Sequence, residues 1–127
     1  MTSENLIYLV EDDEYVSRMY ERAFRHEGHQ VVLFHDGESA LKELLAAKNL
    51  PAAIILDIVL PQLNGLDVLL KLRAQERFAK VPIIMLTNSF RKEDSKRFLS
   101  SGADLYLVKI ENQSKEVVKK VEALLHQ

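Results

Sequence analysis

The stretch Pro51-Ala52-Ala53-Ile54-Ile55-Leu56-Asp57 is the most informative part of this sequence, because it is apolar up to a final carboxylate. Strands that are apolar on both faces lie in the middle of a parallel sheet that has helices on either side. Open α/β sheets bind their ligands beyond the carboxyl ends of such strands. The stretch therefore predicts a central strand, with Asp57 at the functional edge of the sheet.

Three further strand-like runs also end in polar residues. Residues 6–10 lead into Glu11-Asp12-Asp13-Glu14, residues 83–86 lead into Thr87, and residues 105–108 lead into Lys109. A single Asp at a strand end is more often a turn former or a helix cap. Because the carboxyl ends of parallel strands meet at one edge, however, we expect acids, a hydroxyl and an ammonium group to gather around Asp57.

Length and composition limit the class of protein. The 127 residues suffice for one domain with its own core, so residues 1–127 are predicted to form a single domain. The absence of Cys excludes disulfides, thiolate metal sites and a Cys nucleophile. A formal net charge of -2 provides no general attraction for nucleic acid, and direct binding to it is not expected. Since the sequence has neither a signal peptide nor a membrane-spanning run, we expect a cytoplasmic protein without a membrane partner.

The spacing of apolar residues predicts a helix after each strand. The first helix covers residues 14–27, and the second begins after Asp36 as N-cap and buries Ala40, Leu41, Leu44 and Leu45. The third includes Leu66, Leu69, Leu70 and Arg73, the fourth covers residues 90–100 with Phe98 and Leu99 as its apolar residues, and the fifth includes Val117, Val118, Val121, Leu124 and Leu125. Gly28 and Gly102 are predicted helix stops. Five strand–helix alternations predict a (βα)5 doubly wound α/β domain with a parallel five-stranded sheet.

The predicted cluster suits phosphoryl chemistry. Crowded carboxylates repel one another, and such a group usually persists because a cation lies among its members. Mg²⁺ is the best candidate, since it prefers oxygen ligands and keeps several waters that a phosphate can displace. The Lys109 ammonium and the Thr87 hydroxyl can stabilise an oxyanion. Together these groups favour transfer of a phosphoryl group to Asp57, because an aspartate can form an acyl-phosphate.

The same residues also match a known family. From end to end, the chain resembles the response-regulator receiver domain of the stand-alone chemotaxis-regulator type. This resemblance implies a flavodoxin-like or CheY-like fold with the strand order 2-1-3-4-5. The matching residues are the acidic pair Asp12-Asp13, Asp57, the loop Leu60-Pro61-Gln62-Leu63-Asn64-Gly65, Thr87, Tyr106 and Lys109.

The resemblance also implies roles for these residues. Asp57 would accept a phosphoryl group from a sensor histidine kinase or a phosphotransfer protein. Asp13 and Asp57 would ligate Mg²⁺ together with the Val59 carbonyl, and Asp12 would assist through a bound water. Lys109 would pair first with the Asp57 carboxylate and then with the phosphoryl group. Thr87 and Tyr106 would be the switch residues that move after phosphorylation.

By this resemblance, the protein is a signalling switch that catalyses only its own phosphorylation and dephosphorylation. The fourth helix, fifth strand and fifth helix would present an altered face to a downstream target protein or a detached output domain. The same face could form a dimer. Two residues depart from the family pattern, since Ile110 follows Lys109 where a proline after a cis peptide is usual, and Asn88 follows Thr87 where a small residue is usual.

Alternative functions have weaker support. Haloacid-dehalogenase-like enzymes place a second Asp two residues after the nucleophile, but Val59 occupies that position here. Nucleotide-binding and flavin-binding modules need a glycine-rich or hydroxyl-rich turn after the first strand, whereas this chain has acids there. Asp12 and Asp13 could also serve only as caps of the first helix. The remaining alternative is a degenerate receiver that acts as a phosphorylation-independent interaction module.

Overall fold

Five strands and five α-helices alternate along the chain in the predicted order. The computed structural model describes residues 2–89 and 91–125. The elements are β1 (Thr2–Val10), α1 (Glu14–His26), β2 (Gln30–Phe34), α2 (Gly37–Ala46), β3 (Leu50–Leu56), α3 (Gly65–Arg73), β4 (Ile83–Thr87), α4 (Lys92–Ser100), β5 (Leu105–Val108) and α5 (Ser114–Leu125). Short 3-10 turns precede β4 at Glu76–Phe78 and follow β5 at Lys109–Glu111.

All five strands are parallel and lie in the order β2-β1-β3-β4-β5, which confirms the predicted doubly wound sheet. The central strand β3 pairs with β1 on one side and with β4 on the other, so that Ile54 lies between Tyr8 and Ile83. From β1 the chain adds β2 on one side of the sheet and then β3, β4 and β5 on the other, so the strand order has a switch point between β1 and β3. That switch point brings the ends of β1 and β3 side by side, with a crevice between their following loops.

The sheet separates two apolar layers, and β3 contributes to both. Ala53 and Ile55 pack in the layer formed with α1 and α5. Ile54 and Leu56 pack in the layer formed with α2, α3 and α4. All four side chains are fully buried. Because side chains alternate across a strand, only a run without polar positions can serve both layers, which explains the composition of this strand.

Helices α2, α3 and α4 each leave one leucine outside the buried stripe. Leu45 was predicted to be buried, but it is exposed at the protein surface, as are the apolar residues Leu70 and Leu99 of the third and fourth helices. Neighbouring positions on a helix differ by about 100° in direction. Leu44, Leu69 and Phe98 therefore face the sheet while the residue that follows each of them turns away. No helix in residues 2–89 and 91–125 is both long and apolar enough to cross a membrane.

The predicted helix ends agree with the backbone geometry. Gly28 and Gly102 adopt positive φ angles of 90° and 116°, which glycine accommodates at helix ends. The carboxylate of Asp36 caps α2 by accepting a hydrogen bond of 2.7 Å from the Ser39 amide. Helix α4 begins at Lys92, whereas its predicted start, Phe90, lies outside the described residues.

Arg73, the last residue of α3, connects the segments that lead into β4 and β5. The carboxyl ends of these two strands lie at the predicted site. Its guanidinium donates hydrogen bonds to the backbone carbonyls of Phe78, Val81 and Gly102. It also pairs at 2.8 Å with the carboxylate of Asp104, which accepts a further bond from the Ile83 amide. These bonds connect the start of β4 to the residue before β5, so Arg73 helps to hold these two strands in register.

Candidate functional site

The carboxyl end of β1 places two acids in the crevice at the switch point. Glu11 is buried, whereas its neighbour Asp12 is exposed. Together with Asp57 at the end of β3, each of these residues offers one carboxylate oxygen, and the three oxygens lie within 4.8 Å of one another. Three carboxylates so close together form a set of oxygen donors that suits a divalent cation such as Mg²⁺.

Asp57 is held at both of its carboxylate oxygens. Its backbone amide donates to the Val10 carbonyl at 3.1 Å, which continues the pairing of β3 with β1. Oδ1 accepts a hydrogen bond of 2.7 Å from the Ile58 amide, and Oδ2 accepts one of 2.8 Å from Lys109. The residue is only 8% exposed. Its carboxylate is thus fixed in direction before any reaction takes place.

Lys109 connects the acids of two strands. Its side chain is 13% exposed, and its ammonium donates hydrogen bonds both to Asp57 and to Oε1 of Glu11. The residue begins the short 3-10 turn that follows β5. Lys109 therefore pairs with two of the three clustered carboxylates, and the cluster has an excess of negative charge that a metal ion could balance.

Burial and charge together raise the pKa of two groups in the cluster. Burial raises the pKa of the Glu11 carboxyl above 4.5, although hydrogen bonds from Lys109 and from the Asp13 amide act in the opposite direction. Burial would lower the pKa of Lys109, but the hydrogen bonds and charges of Asp57 and Glu11 outweigh it and raise that pKa above 10.5. Both pKa values are raised for a related reason, because a buried site with excess negative charge retains protons more strongly.

The raised pKa of Glu11 predicts a pH dependence of stability in the absence of metal. The folded protein binds this proton more tightly than the unfolded chain, so the free energy of unfolding falls as the pH rises from 4.5 to the folded pKa. The contribution has a slope of at most about 1.4 kcal/mol per pH unit. Urea denaturation in EDTA across this window should show the slope in the wild type and a smaller one in Glu11→Gln. Equal slopes in the two proteins would contradict the prediction.

Asp13 lies outside the carboxylate cluster, contrary to its predicted role as a metal ligand. Its side chain caps α1, with Oδ1 accepting a hydrogen bond of 3.0 Å from the Val16 amide. Its own amide donates to Glu11 Oε2 at 3.0 Å. The acidic pair in the crevice is therefore Glu11-Asp12, one residue earlier than expected. An Asp one residue before the first helical position is an N-cap signal, and capping of the first helix was the alternative role that the sequence offered for Asp13.

Thr87 and Tyr106 lie on the two strands beyond β3. Thr87 ends β4, pairs in register with Val108 of β5 and is 3% exposed. The Tyr106 hydroxyl donates a hydrogen bond of 2.8 Å to the Ser89 carbonyl, two residues after Thr87. Burial raises the pKa of this phenol. Tyr106 is thus hydrogen-bonded to the loop that follows Thr87, and this bond connects the two predicted switch residues.

The loop between β4 and α4 is bonded to α4 as well. Ser89 donates from Oγ to the Asp94 carboxylate at 2.5 Å, and Asp94 pairs with Arg97 at 3.4 Å. The Arg97 guanidinium lies 5.3 Å from the centre of the Phe98 ring, which in turn packs 6.1 Å from the ring of Tyr106. These contacts link the Tyr106 side chain to α4 both through Ser89 and through Phe98.

The loop of residues 58–64, between β3 and α3, packs closely on Asp57. The Gly65 amide donates to the Ile58 carbonyl at 2.9 Å. A Cβ atom at Gly65 would lie only 2.1 Å from the Asp57 carbonyl oxygen, so glycine is required at this position. Val59 lies in this loop and is 74% exposed. Val59 follows Asp57 by two residues in the chain. Its backbone carbonyl remains a predicted metal ligand.

The two residues that depart from the family pattern lie at the surface beside the cluster. Ile110 is 78% exposed within the 3-10 turn, Asn88 is exposed, and the described residues contain no cis peptide bond. Both residues line an open groove of about 860 Å³ between α1 and the β5–α5 connection. Val16, Met19 and Lys109 are among its other lining residues. Since Lys109 also contacts Asp57, the groove adjoins the carboxylate cluster.

Comparison with known families agrees with this geometry. Residues 7–122 match the response regulator receiver domain. The chain is 39% identical over 119 residues to the transcriptional regulatory protein PrrA of Mycobacterium tuberculosis, covering 94% of this chain and 49% of the relative. It is 36% identical over 121 residues to the transcriptional regulatory protein CpxR of Escherichia coli, covering 95% of this chain and 49% of the relative. The chain thus spans about half the length of these curated relatives.

A solved structure shows the same fold with a metal ion present. The receiver domain of the sensor histidine kinase PA1611 from Pseudomonas aeruginosa superposes with a TM-score of 0.86 at 30% identity. The match covers 98% of this chain and all of that domain. In that protein, a magnesium ion is coordinated in the active site cleft.

Proposed function

The chain belongs to the response regulator receiver domain family, and on that premise we propose that it is a phosphorylation-driven switch of a two-component phosphorelay. Asp57 accepts a phosphoryl group from a sensor histidine kinase or a phosphotransfer protein in a Mg²⁺-dependent reaction. The observation that carries the proposal is the contact of Lys109 with Asp57 at 2.8 Å, beside a cluster of three carboxylates. This arrangement combines a nucleophile, a fixed positive charge and a set of oxygen ligands.

The donors of the cluster fit Mg²⁺. Asp12 and Asp57 are the proposed carboxylate ligands, together with the Val59 carbonyl, and Glu11 contributes negative charge beside them. When bound, Mg²⁺ supplies positive charge that neutralises the oxygens of the transferred phosphoryl group. The exposure of Asp12 leaves the cluster open to solvent, through which an ion can enter.

The chemistry on Asp57 requires little rearrangement. A carboxylate oxygen attacks the phosphorus of the donor, a new O–P bond forms, and the bond between phosphorus and the donor atom breaks. The donor atom keeps that electron pair, which for a phosphohistidine remains on the imidazole nitrogen. Lys109 then balances the charge of the phosphoryl group, and the Thr87 hydroxyl donates to one of its oxygens. Transfer of this kind depends mainly on positioning and charge neutralisation, and the fixed side chains of Asp57 and Lys109 contribute to both.

The groove beside Lys109 is the proposed approach for the phosphodonor protein. It exposes apolar side chains of α1 and of the turn after β5, including Met19 at 37% and Ile110 at 78% exposure. Exposed apolar surface next to a polar site is typical of protein contact surfaces. A donor docked on this groove would reach Asp57 alongside Lys109.

The output of the switch is proposed to pass through α4, β5 and α5. Thr87 moves towards the phosphoryl group, and the contacts of Tyr106 with Ser89 and Phe98 transmit that movement to α4. The altered face then binds a downstream target protein or an output domain, or forms a dimer. Physically, new charge-assisted hydrogen bonds favour one of two conformations. The domain itself acts through protein contacts, and we propose no activity on outside substrates.

Asp12 and Asp13 should differ in their effect on metal binding. Asp12→Asn should weaken Mg²⁺ binding by at least about tenfold, because it removes one of the clustered carboxylates. Asp13→Asn should leave the affinity within about threefold, since an amide oxygen can still cap α1. Isothermal titration calorimetry with MgCl₂ on the two variants measures this difference. If Asp13→Asn lost binding and Asp12→Asn retained it, the position of Asp13 outside the cluster would not describe the metal-bound protein.

The proposed function is tested by incubating the protein with acetyl phosphate and following its intact mass at neutral pH. We expect an adduct of one phosphoryl group that forms with Mg²⁺ and is absent with EDTA. An adduct that forms equally well in EDTA would reject the metal-dependent reaction. No adduct under either condition, nor with a phosphorylated phosphotransfer protein, would favour a degenerate receiver that acts only by binding.

A further inference from the structure

Two glycines, Gly65 and Gly37, contact the loop of residues 58–64. The close packing on Asp57 explains why residue 65 is glycine, but it does not explain Gly37. Gly65 meets the Asp57 carbonyl, as described above. Gly37, the first residue of α2, lies against a different part of the loop. A Cβ atom at Gly37 would lie 1.8 Å from the carbonyl oxygen of Leu63 and 2.9 Å from its carbonyl carbon. The start of α2 therefore touches the backbone of this loop directly.

Helix formation alone does not require glycine at residue 37. The positive φ angles among the described glycines belong to Gly28 and Gly102, so Gly37 has a backbone conformation that other residues also adopt. The close approach to Leu63 accounts for its presence, because any side chain would force the two backbone segments apart.

Capping hydrogen bonds hold the start of α2, which makes this contact. The Asp36 carboxylate accepts two hydrogen bonds from Ser39, at 2.7 Å from the amide and 2.9 Å from the hydroxyl. Gly37 itself is buried. On the other side, Leu63 directly precedes Asn64, whose side chain caps α3 by accepting from the Asp67 amide at 3.0 Å. The loop is thus confined between the beginnings of α2 and α3.

We infer that Gly37 is a positioning residue for the metal and phosphoryl site, because its missing side chain lets α2 hold the residue 58–64 loop in place. The loop carries Val59, whose carbonyl is a proposed metal ligand, and packs on Asp57 through Gly65. The inference rests on the proposed function, but it concerns a residue that touches neither the metal nor the phosphoryl group. A residue of this kind acts by fixing the geometry of others.

Gly37→Ala tests this inference through two measurements that do not need phosphorylation. We expect the Mg²⁺ dissociation constant, measured by calorimetry, to increase about tenfold. In the metal-free protein, we expect faster hydrogen exchange at the Gly65 amide, because its bond to the Ile58 carbonyl spans the displaced loop. Gly28→Ala is the matched control. It places alanine at a φ of 90° where nothing lies within 4 Å of the new Cβ, so it should lower stability without changing either measurement.

Mg²⁺ binding by the wild type distinguishes a failure of the proposed function from a failure of this inference. If the wild type failed to bind Mg²⁺, the proposed function itself would be rejected. If the wild type bound Mg²⁺ and Gly37→Ala bound it equally well with unchanged Gly65 exchange, Gly37 would not be a positioning residue. Equal losses of affinity in Gly37→Ala and Gly28→Ala would also overturn the inference, since general destabilisation would then explain both.

A second variant covers the case in which Gly37→Ala does not fold. Asp36→Ala removes the cap that holds the start of α2 and inserts no atoms against Leu63. We expect a smaller change of the same sign, with Mg²⁺ binding weakened about threefold and faster exchange at Gly65. Wild-type values for both measurements in this variant would overturn the inference.

Discussion

Asp57→Asn is expected to abolish the phosphoryl adduct that the wild type forms with acetyl phosphate and Mg²⁺. The substitution keeps the shape of the side chain and its contact with the Ile58 amide, but an amide oxygen is a far weaker nucleophile than a carboxylate. The expected effect is complete loss of the adduct rather than slower formation, because the proposed reaction uses the Asp57 carboxylate itself as the nucleophile. Intact mass spectrometry over the time course of the wild-type reaction measures the result.

Asp67→Asn is the matched control for this experiment, because Asp67 lies on α3 away from the carboxylate cluster. It should form the adduct at the wild-type rate. An adduct that persists in Asp57→Asn would mean that another residue is the nucleophile, and peptide mapping after borohydride reduction of the acyl-phosphate would identify it. Circular dichroism of the variant ensures that loss of the adduct does not merely report unfolding.

Lys109→Met should produce the second large effect, on stability and metal binding together. Removal of the ammonium leaves Glu11 and Asp57 close together without their cation, and breaking such a buried pair costs about 3 kcal/mol of unfolding free energy. Mg²⁺ should stabilise the variant more than it stabilises the wild type, because the ion no longer meets a neighbouring positive charge. Urea denaturation with EDTA and with saturating MgCl₂ measures both expectations.

Lys80→Met provides the control for this variant, since Lys80 is exposed in the loop before β4. Its stability should stay within about 0.5 kcal/mol of the wild type in both buffers. If Lys109→Met were as stable as the wild type in EDTA, Glu11 would be protonated or solvated rather than held as a charged partner. If Mg²⁺ stabilised both proteins equally, the ammonium and the metal would not share the same carboxylates.

The parts of the site that could be predicted from sequence are those that depend on where strands end. Asp57, Thr87 and Lys109 each stand at the end of an apolar run, and parallel pairing brings such ends to one edge whatever the details of packing. The prediction of Asp13 as a ligand required a choice among four consecutive acids, whose side-chain directions a strand end does not fix. The structure instead brings Glu11 to Lys109 and uses Asp13 to cap α1.

The doubly wound fold could be predicted from periodicities and breaks that are local to the chain, and the same local signals place Asp57, Thr87 and Lys109 at strand ends. Tertiary packing decided between the two roles that the sequence left open for Asp13, metal ligand and helix cap, and it brought Glu11 and Asp12 beside Asp57. It also decided the contact of Gly37 with Leu63. Contacts of this second kind join residues far apart in the chain, and their distances depend on how the packed helices and strands are finally placed.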